Sequence, residues 1–196
     1  TVTNIPFDRT EEQEKEDLAY IAQLKQLSEC PDIIRQYGKE LKIVYTPLHG
    51  TGNILVRRVL SELGFEHVFV VPEQEKPDGD FPTVSYPNPE EKKAFTLALK
   101  LAEEKDADIV LATDPDADRL GVYAKDSRTG RYMPFTGNMS GMLICEYLLG
   151  RKKDRKTLPE DGAIVKTIVT TNLANAAAKE YGMKLIETLT GFKYIG

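Results

Sequence analysis

The chain has 196 residues, of which 41% are hydrophobic and 29% charged, and its formal net charge at pH 7 is −5. These values are typical of a soluble globular protein with one or two domains. The acidic balance argues against a nucleic-acid or anionic-membrane partner, and no apolar stretch is long enough to cross a bilayer. With two cysteines and no signal-peptide pattern, the chain is expected in the reducing cytoplasm.

Residues 1–40 are predicted to form a helical lead-in. Apolar residues at helical spacing predict a helix around residues 18–27, and a second short helix is expected to end at Gly38. The chain begins at Thr1 without a methionine and stops directly after an apparent motif. We therefore expect an interior piece of a longer protein.

Residues 41–150 are predicted to form one α/β domain. A buried strand, a helix ending at Gly64 and a second strand predict a βαβ unit over residues 41–71, and hence a parallel sheet. The loop 47–53, PLHGTGN, precedes the helix N-terminus, where free backbone N–H groups could hold an anion. It lacks the ending of a P-loop and the spacing of a dinucleotide fingerprint. His49 in this loop fits a hydrogen-bonded structural role as well as a ligand contact.

A long loop, residues 72–90, is dense in proline, glycine and aspartate and is predicted to be ordered but irregular. Loops of this length in compact domains are usually functional or disordered. A helix ending near Lys105 follows it, and then a short apolar run at residues 109–112 that predicts a buried strand. Whatever follows that strand is expected at the sheet edge where α/β proteins bind ligands.

The segment that follows, TDPDADRLG, is the clearest chemical signal in the chain. Asp114, Asp116 and Asp118 occupy alternate positions, and such crowded carboxylates usually surround a hard dication, with Mg²⁺ the leading candidate. Arg119 is placed to offset their charge or to bind a phosphate through two hydrogen bonds. A solvated acidic turn is the structural alternative. An EF-hand is excluded because basic residues replace the glycine and glutamate that its loop requires.

The last third of the chain is predicted to begin a second domain. A hairpin is expected over residues 121–135 and a helix over 137–149. The charged segment 151–162 is predicted to be a linker, after which the strand–helix–strand order starts again in residues 163–196. The predicted fold class is therefore α/β, with a mixed, mainly parallel sheet, flanking helices and the start of a second similar domain.

Five motifs in this order resemble the α-D-phosphohexomutase superfamily, the phosphoglucomutase and phosphomannomutase enzymes: TPLHGTG, DGDFPTVSYPNPE, TDPDADRLG, TGNMSG and ETLTGFKYIG. The form TGFK is closest to the phosphoglucomutase and phosphopentomutase branch. The resemblance covers most of residues 40–196. It implies that residues 41–150 are domain II, that 163–196 begin domain III, and that 1–40 lead out of domain I.

The resemblance also implies roles for individual residues. The acidic loop would hold Mg²⁺ together with a phosphate oxygen of a catalytic phosphoserine, and Arg119 would help position the phosphoserine region. Lys193 would take part in proton transfer or phosphate contact. The residues implied or considered as substrate contacts are Thr190, Gly191, Phe192, Lys193 and, more weakly, His49.

The full-length enzyme implied by the resemblance is an isomerase, an intramolecular phosphotransferase acting on small sugar phosphates. It would use a glucose-1,6-bisphosphate-type activator and need domains I and IV and the rest of domain III. No serine of this chain lies in a Thr-Ala-Ser-His-Asn-Pro-like nucleophile loop. We therefore expect the isolated chain to be inactive and to bind Mg²⁺ weakly, because the phosphate ligand is absent.

Two other function classes fit parts of the sequence. A haloacid-dehalogenase-type phosphatase also places Asp-x-Asp after an apolar strand, with the first aspartate as nucleophile and Mg²⁺ beside it. Asp118 stands where that family usually has threonine or valine. A non-catalytic metal-binding or scaffold module is the third possibility.

Overall fold

The computed structural model describes residues 10–195, and of Phe192 only the backbone. The chain divides into two compact units, with Leu120 the last residue of unit one and Gly121 the first of unit two. Within the described residues, no helix combines the length and apolar character needed to span a membrane.

A parallel sheet forms the centre of unit one. Its strands are β1 (Lys42–Thr46), β2 (His67–Val70) and β3 (Ile109–Thr113), with β1 between the other two. Val44 of β1 is paired with both neighbours, and it is fully buried, as expected for a strand covered on both faces. The predicted βαβ unit is confirmed.

The described part of unit one contains five helices: α1 (Glu11–Gln26), α2 (Pro31–Tyr37), α3 (Gly52–Leu63), α4 (Pro72–Glu75) and α5 (Thr96–Lys105). A 3₁₀ turn, Lys92–Phe95, leads into α5. Helix α3 ends at Gly64, whose φ of 108° is the left-handed cap that glycine adopts without a steric penalty. Helices α3 and α5 contact the strands, whereas α1 and α2 pack against α3.

Helix α1 packs against α3 and is part of unit one, although the sequence indicated only a lead-in. Its contact is narrow, because Ile21 is buried while Leu18 and Leu27 are exposed. An ion pair of 2.7 Å between Arg58 and Glu14 joins the two helices at the surface. An ion pair at the surface contributes little because water screens it, so burial of Ile21 is the larger stabilising contact.

Unit two contains a hairpin and a second βαβ unit. Its elements are β4 (Leu120–Lys125, beginning on the last residue of unit one), β5 (Tyr132–Phe135), α6 (Gly137–Asp154), β6 (Ala163–Thr167), α7 (Leu173–Tyr181) and β7 (Lys184–Thr188). Strands β4 and β5 are antiparallel, whereas β6 and β7 are parallel. The β1–β2, β1–β3 and β6–β7 pairs are thus parallel and the β4–β5 pair is antiparallel, which confirms the predicted mixed, mainly parallel α/β class.

The internal boundaries differ from those predicted. Helix α6 continues to Asp154, so the first residues of the expected linker 151–162 are helical. Its last turn carries Arg151, Lys152 and Lys153, and cations are favourable there because they oppose the negative end of the helix dipole. Residues 151–154 of the predicted linker therefore form a helix end, and the boundary between the compact units follows Leu120 in the chain.

Candidate functional site

The acidic loop follows β3 directly, as the sequence predicted. One carboxylate oxygen from each of Asp114, Asp116 and Asp118 lies within 4.8 Å of the others. Asp114 is 1% exposed, whereas the other two carboxylates are exposed. The cluster therefore has a buried base and an open side.

Arg119 closes this loop onto Asp114. Its Nε donates to Asp114 Oδ2 at 2.6 Å, and its backbone N–H donates to Oδ1 at 3.0 Å. Burial raises the pKa of the Asp114 carboxyl, but the hydrogen bonds from Arg119 outweigh that effect, and the pKa lies below its ordinary value. Asp114 is thus an ionised carboxylate with almost no contact with solvent.

Asp118 experiences the opposite effect. Its hydrogen bond to Asp114 and the charge of Asp116 raise its pKa, because each added negative charge in this loop is repelled by those present. A dication among the three oxygens would remove that repulsion. The donor set, made only of carboxylate oxygens with an open side for further ligands, fits a hard cation such as Mg²⁺.

The strand end beneath the loop is held by a buried hydroxyl pair. Tyr45 Oη and Thr113 Oγ1 are 2.8 Å apart and link β1 to the last residue of β3. Burial raises the pKa of Tyr45 to about 12, so the phenol stays protonated in this contact. This contact holds Thr113, the residue directly before the acidic loop, in place against β1.

His49 lies in the loop before α3 and is 5% exposed. Its Nδ1 is 3.1 Å from the Lys76 carbonyl oxygen, and its Nε2 is 2.8 Å from Thr83 Oγ1. Since a carbonyl only accepts, Nδ1 carries a proton and donates to it. With both ring nitrogens occupied, the geometry favours the structural role over a ligand contact.

The predicted substrate loop lies in unit two and follows β7. Gly191 has a φ of 132°, a left-handed conformation that favours glycine, and its carbonyl accepts from the Tyr194 N–H at 3.0 Å. This bond closes a 3₁₀ turn over Phe192–Tyr194. Lys193 Nζ lies 4.9 Å from the centre of the Tyr194 ring and is exposed. Thr190 precedes the turn, so the predicted loop residues form one short segment in which Thr190 and Lys193 are exposed.

Lys166 is a buried lysine of unit two that was not singled out from the sequence. It lies in β6, its side chain is 2% exposed, and its Nζ is 2.6 Å from Glu187 Oε2. The same Nζ donates to the Thr170 carbonyl at 3.2 Å. A lysine inside an otherwise apolar strand was the available signal, since a buried lysine requires a partner.

The phosphatase alternative requires Asp114 to attack a phosphorus atom. Both of its oxygens already accept hydrogen bonds from Arg119, and its side chain is buried. These hydrogen bonds withdraw electron density from the oxygen that would attack, and burial limits its approach to a substrate. The geometry therefore favours a metal-binding role for Asp114 over a nucleophilic one.

Comparison with known proteins relates these elements to one family. Residues 18–129 match phosphoglucomutase/phosphomannomutase alpha/beta/alpha domain II, and residues 136–196 match domain III of the same family. Both matches include regions that the sequence placed elsewhere. Domain II begins within α1, and the domain III match begins at the residue before α6 rather than at residue 163.

Named relatives agree with these matches. Phosphoglucomutase from Staphylococcus epidermidis is 41% identical over 156 residues, covering 80% of this chain and 28% of that protein. Phosphoribomutase from Saccharomyces cerevisiae is 39% identical over 160 residues, covering 78% of this chain and 26% of that protein.

A solved phosphoglucomutase/phosphomannomutase family protein from Burkholderia thailandensis has the same fold, with a TM-score of 0.63, 23% identity, and coverage of 85% of this chain and 34% of that one. The chain thus spans about a third or less of the length of these proteins. Because two consecutive domain matches account for most of its residues, the chain belongs to the phosphoglucomutase/phosphomannomutase family.

Proposed function

We propose that this chain supplies the metal-binding loop and part of the sugar-recognition surface of a Mg²⁺-dependent sugar-phosphate mutase. The observation that carries the proposal is the set of three carboxylate oxygens within 4.8 Å of one another at the carboxyl end of a buried strand. The relatives' names, phosphoglucomutase and phosphoribomutase, indicate hexose or pentose phosphates as the substrate class.

In this proposal Asp114, Asp116 and Asp118 hold Mg²⁺, which when bound would draw charge from a phosphoryl group in transfer. The carboxylates also moderate the positive charge, so that phosphate is not retained irreversibly. Arg119 keeps Asp114 ionised, and its side chain is 46% exposed, so the guanidinium can bind an anion from the solvent side.

The exposed segment after β7 is the proposed sugar contact. Thr190 and the Gly191–Lys193 turn would bind hydroxyl groups, and Lys193 would contact phosphate or transfer a proton. For His49 we propose the structural role. A phosphoserine elsewhere in the full-length protein would donate its phosphoryl group to the sugar phosphate. The bisphosphorylated sugar would then reorient and return its other phosphate, so a glucose-1,6-bisphosphate-type compound would act as an activator.

The test uses the full-length protein, including domains I and IV, with glucose, mannose and ribose 1-phosphates as substrates. We expect Mg²⁺-dependent interconversion of at least one of them with its 5- or 6-phosphate. Asp116→Asn should reduce turnover by about a hundredfold or more, because the metal loses one of three charged ligands. Asp161→Asn, which alters an exposed aspartate outside the proposed site, should have no effect. Mutase activity in Asp116→Asn equal to that of the unmodified protein would contradict the proposal.

The 196-residue chain alone should interconvert none of these substrates, because it supplies no nucleophilic serine loop. It should also bind Mg²⁺ weakly, since the phosphate ligand comes from elsewhere. Calorimetry showing affinity in the micromolar range or tighter, on the order of dedicated cation sites, would contradict that second expectation. We also propose that the protein is located in the cytoplasm.

A further inference from the structure

The acidic loop is fixed through a residue that is not itself a metal-ligand candidate. Pro115 lies between Asp114 and Asp116, and its carbonyl oxygen accepts from the Thr51 N–H at 2.8 Å and from Thr51 Oγ1 at 3.1 Å. Both donors come from the residue that precedes α3. The chain between two of the carboxylates is therefore tied to the start of a helix.

The neighbouring Gly50 makes this approach possible. A Cβ atom at Gly50 would lie 2.4 Å from the Pro115 Cα and 2.6 Å from its carbonyl oxygen. These are backbone atoms of a proline, which cannot rotate away as a side chain could. Only glycine allows the backbones of residues 50 and 115 to come this close. Gly50 and Thr51 together therefore fix the position of the Pro115 backbone.

The segment that presents Gly50 and Thr51 is itself held in an unfavourable backbone conformation. Leu48 and His49 have φ values of 46° and 62°, in the left-handed region that non-glycine residues seldom occupy. Both are buried, and the His49 N–H donates to the Gln74 carbonyl at 3.0 Å. Strained backbone persists only where its surroundings determine it, and such places concentrate at functional sites.

We propose that Gly50 and Thr51 are positioning residues for the metal site. By fixing Pro115 they keep the exposed carboxylates of Asp116 and Asp118 within ligand distance of the buried Asp114. Without these contacts to Pro115, mutual repulsion would separate the exposed carboxylates in the metal-free protein. Metal binding would then have to bring the carboxylates together, which costs free energy and weakens affinity. This inference rests on the proposed function, because it assumes that the three carboxylates bind a cation.

The test measures Mn²⁺ binding to the full-length protein by electron paramagnetic resonance, without substrate. Thr51→Val removes the side-chain donor and keeps the backbone N–H, and it should weaken Mn²⁺ binding roughly three- to tenfold. Thr51→Ser restores the hydroxyl and should bind within about twofold of the unmodified protein. Gly50→Ala should bind more weakly than Thr51→Val, because its Cβ displaces Pro115.

The matched control is Thr96→Val. Thr96 is also an exposed threonine at the start of a helix, and its Oγ1 donates to the Lys93 carbonyl at 2.8 Å, away from the acidic loop. It should bind Mn²⁺ as the unmodified protein does. Equal binding by Thr51→Val and the unmodified protein, or equal weakening by Thr51→Val and Thr96→Val, would overturn the positioning role while leaving the proposed function intact. Failure of the unmodified protein to bind Mn²⁺ would instead overturn both.

Discussion

The side-chain Nε and the backbone N–H of Arg119 donate to the two different oxygens of Asp114, at 2.6 Å and 3.0 Å. The innermost carboxylate of the proposed metal site is therefore neutralised by a cation that belongs to the same loop. A bound metal ion gains less from a carboxylate whose charge is already compensated. Arg119 should thus reduce the affinity of the loop for a metal ion.

The first prediction follows from this competition. In the full-length protein, Arg119→Met should tighten Mn²⁺ binding by about three- to tenfold, because it leaves a buried carboxylate without its guanidinium partner. The same variant should lose mutase turnover, because the proposed contact of Arg119 with phosphate is removed. Arg128→Met, which alters an 89% exposed arginine beside Asp126, is the control and should change neither. Weaker Mn²⁺ binding in Arg119→Met would show that Arg119 supports the metal rather than competing with it.

The second prediction separates metal binding from stability by comparing two aspartates. Asp118→Asn should weaken Mn²⁺ binding about tenfold or more without lowering the unfolding midpoint, because the raised pKa of Asp118 shows that its ionised form is disfavoured in the folded chain. Asp126→Asn should instead lower the unfolding midpoint and leave Mn²⁺ binding unchanged. The backbone N–H of Arg128 and the Thr129 hydroxyl lower the pKa of Asp126, so its charge stabilises the hairpin turn. Similar metal affinities in the two variants would refute the assignment of Asp118.

The third prediction concerns stability at high pH. Burial raises the pKa of Tyr45 from 10.0 to about 12, so between these values the unfolded chain loses a proton that the folded chain keeps. The folded state then binds more protons, and its stability falls as pH rises through this window, by up to about 2 to 3 kcal/mol. Tyr45→Phe removes that contribution. Denaturant unfolding of the 196-residue chain at pH 9 and pH 11 should show a smaller loss of stability in Tyr45→Phe, and an unchanged loss would contradict the prediction.

The fourth prediction tests the segment after β7 in the full-length enzyme. Lys193→Met should lower kcat/KM by about tenfold or more if Lys193 contacts phosphate or transfers a proton, because a charge-assisted hydrogen bond is lost. Lys179→Met, an exposed lysine in the last turn of α7, is the control and should leave kcat/KM unchanged. Thermal unfolding should not distinguish the two variants, since both side chains are exposed. Unchanged kcat/KM in Lys193→Met would remove that residue from the proposed site.

The acidic loop and the strands around it could be predicted because their signals are local. An apolar run predicted β3, and the three alternate aspartates directly after it needed no information from elsewhere in the chain. The end of α3 at Gly64 was predicted from that glycine itself, which is also a local signal. The contact between Gly50 and Pro115 could not be predicted, because it joins two loops far apart in sequence and depends on how β1 and β3 align.

The same distinction applies to α6 and Lys166. The charges of Arg151–Lys153 indicate solvent exposure but not whether the backbone is helical, so the end of α6 was missed. Lys166 was not recognised as buried because its partner, Glu187, is supplied by the neighbouring strand β7. Lysine and arginine usually lie at the surface. Their secondary structure and burial at these positions depend on contacts that only the tertiary structure shows.

The hydrogen bonds around His49 have a consequence for how this loop can evolve. His49 Nε2 meets Thr83 Oγ1, the Gln74 amide donates to that same oxygen at 3.0 Å, and Thr46 Oγ1 donates to the Gln74 carbonyl oxygen at 2.6 Å. Replacing Thr46 or Thr83 removes a hydrogen-bond partner of the buried Gln74 amide, and replacing Thr83 also removes the partner of His49 Nε2. The residue types at these four positions should therefore covary among related proteins, because a substitution at one position favours compensating substitutions at the others.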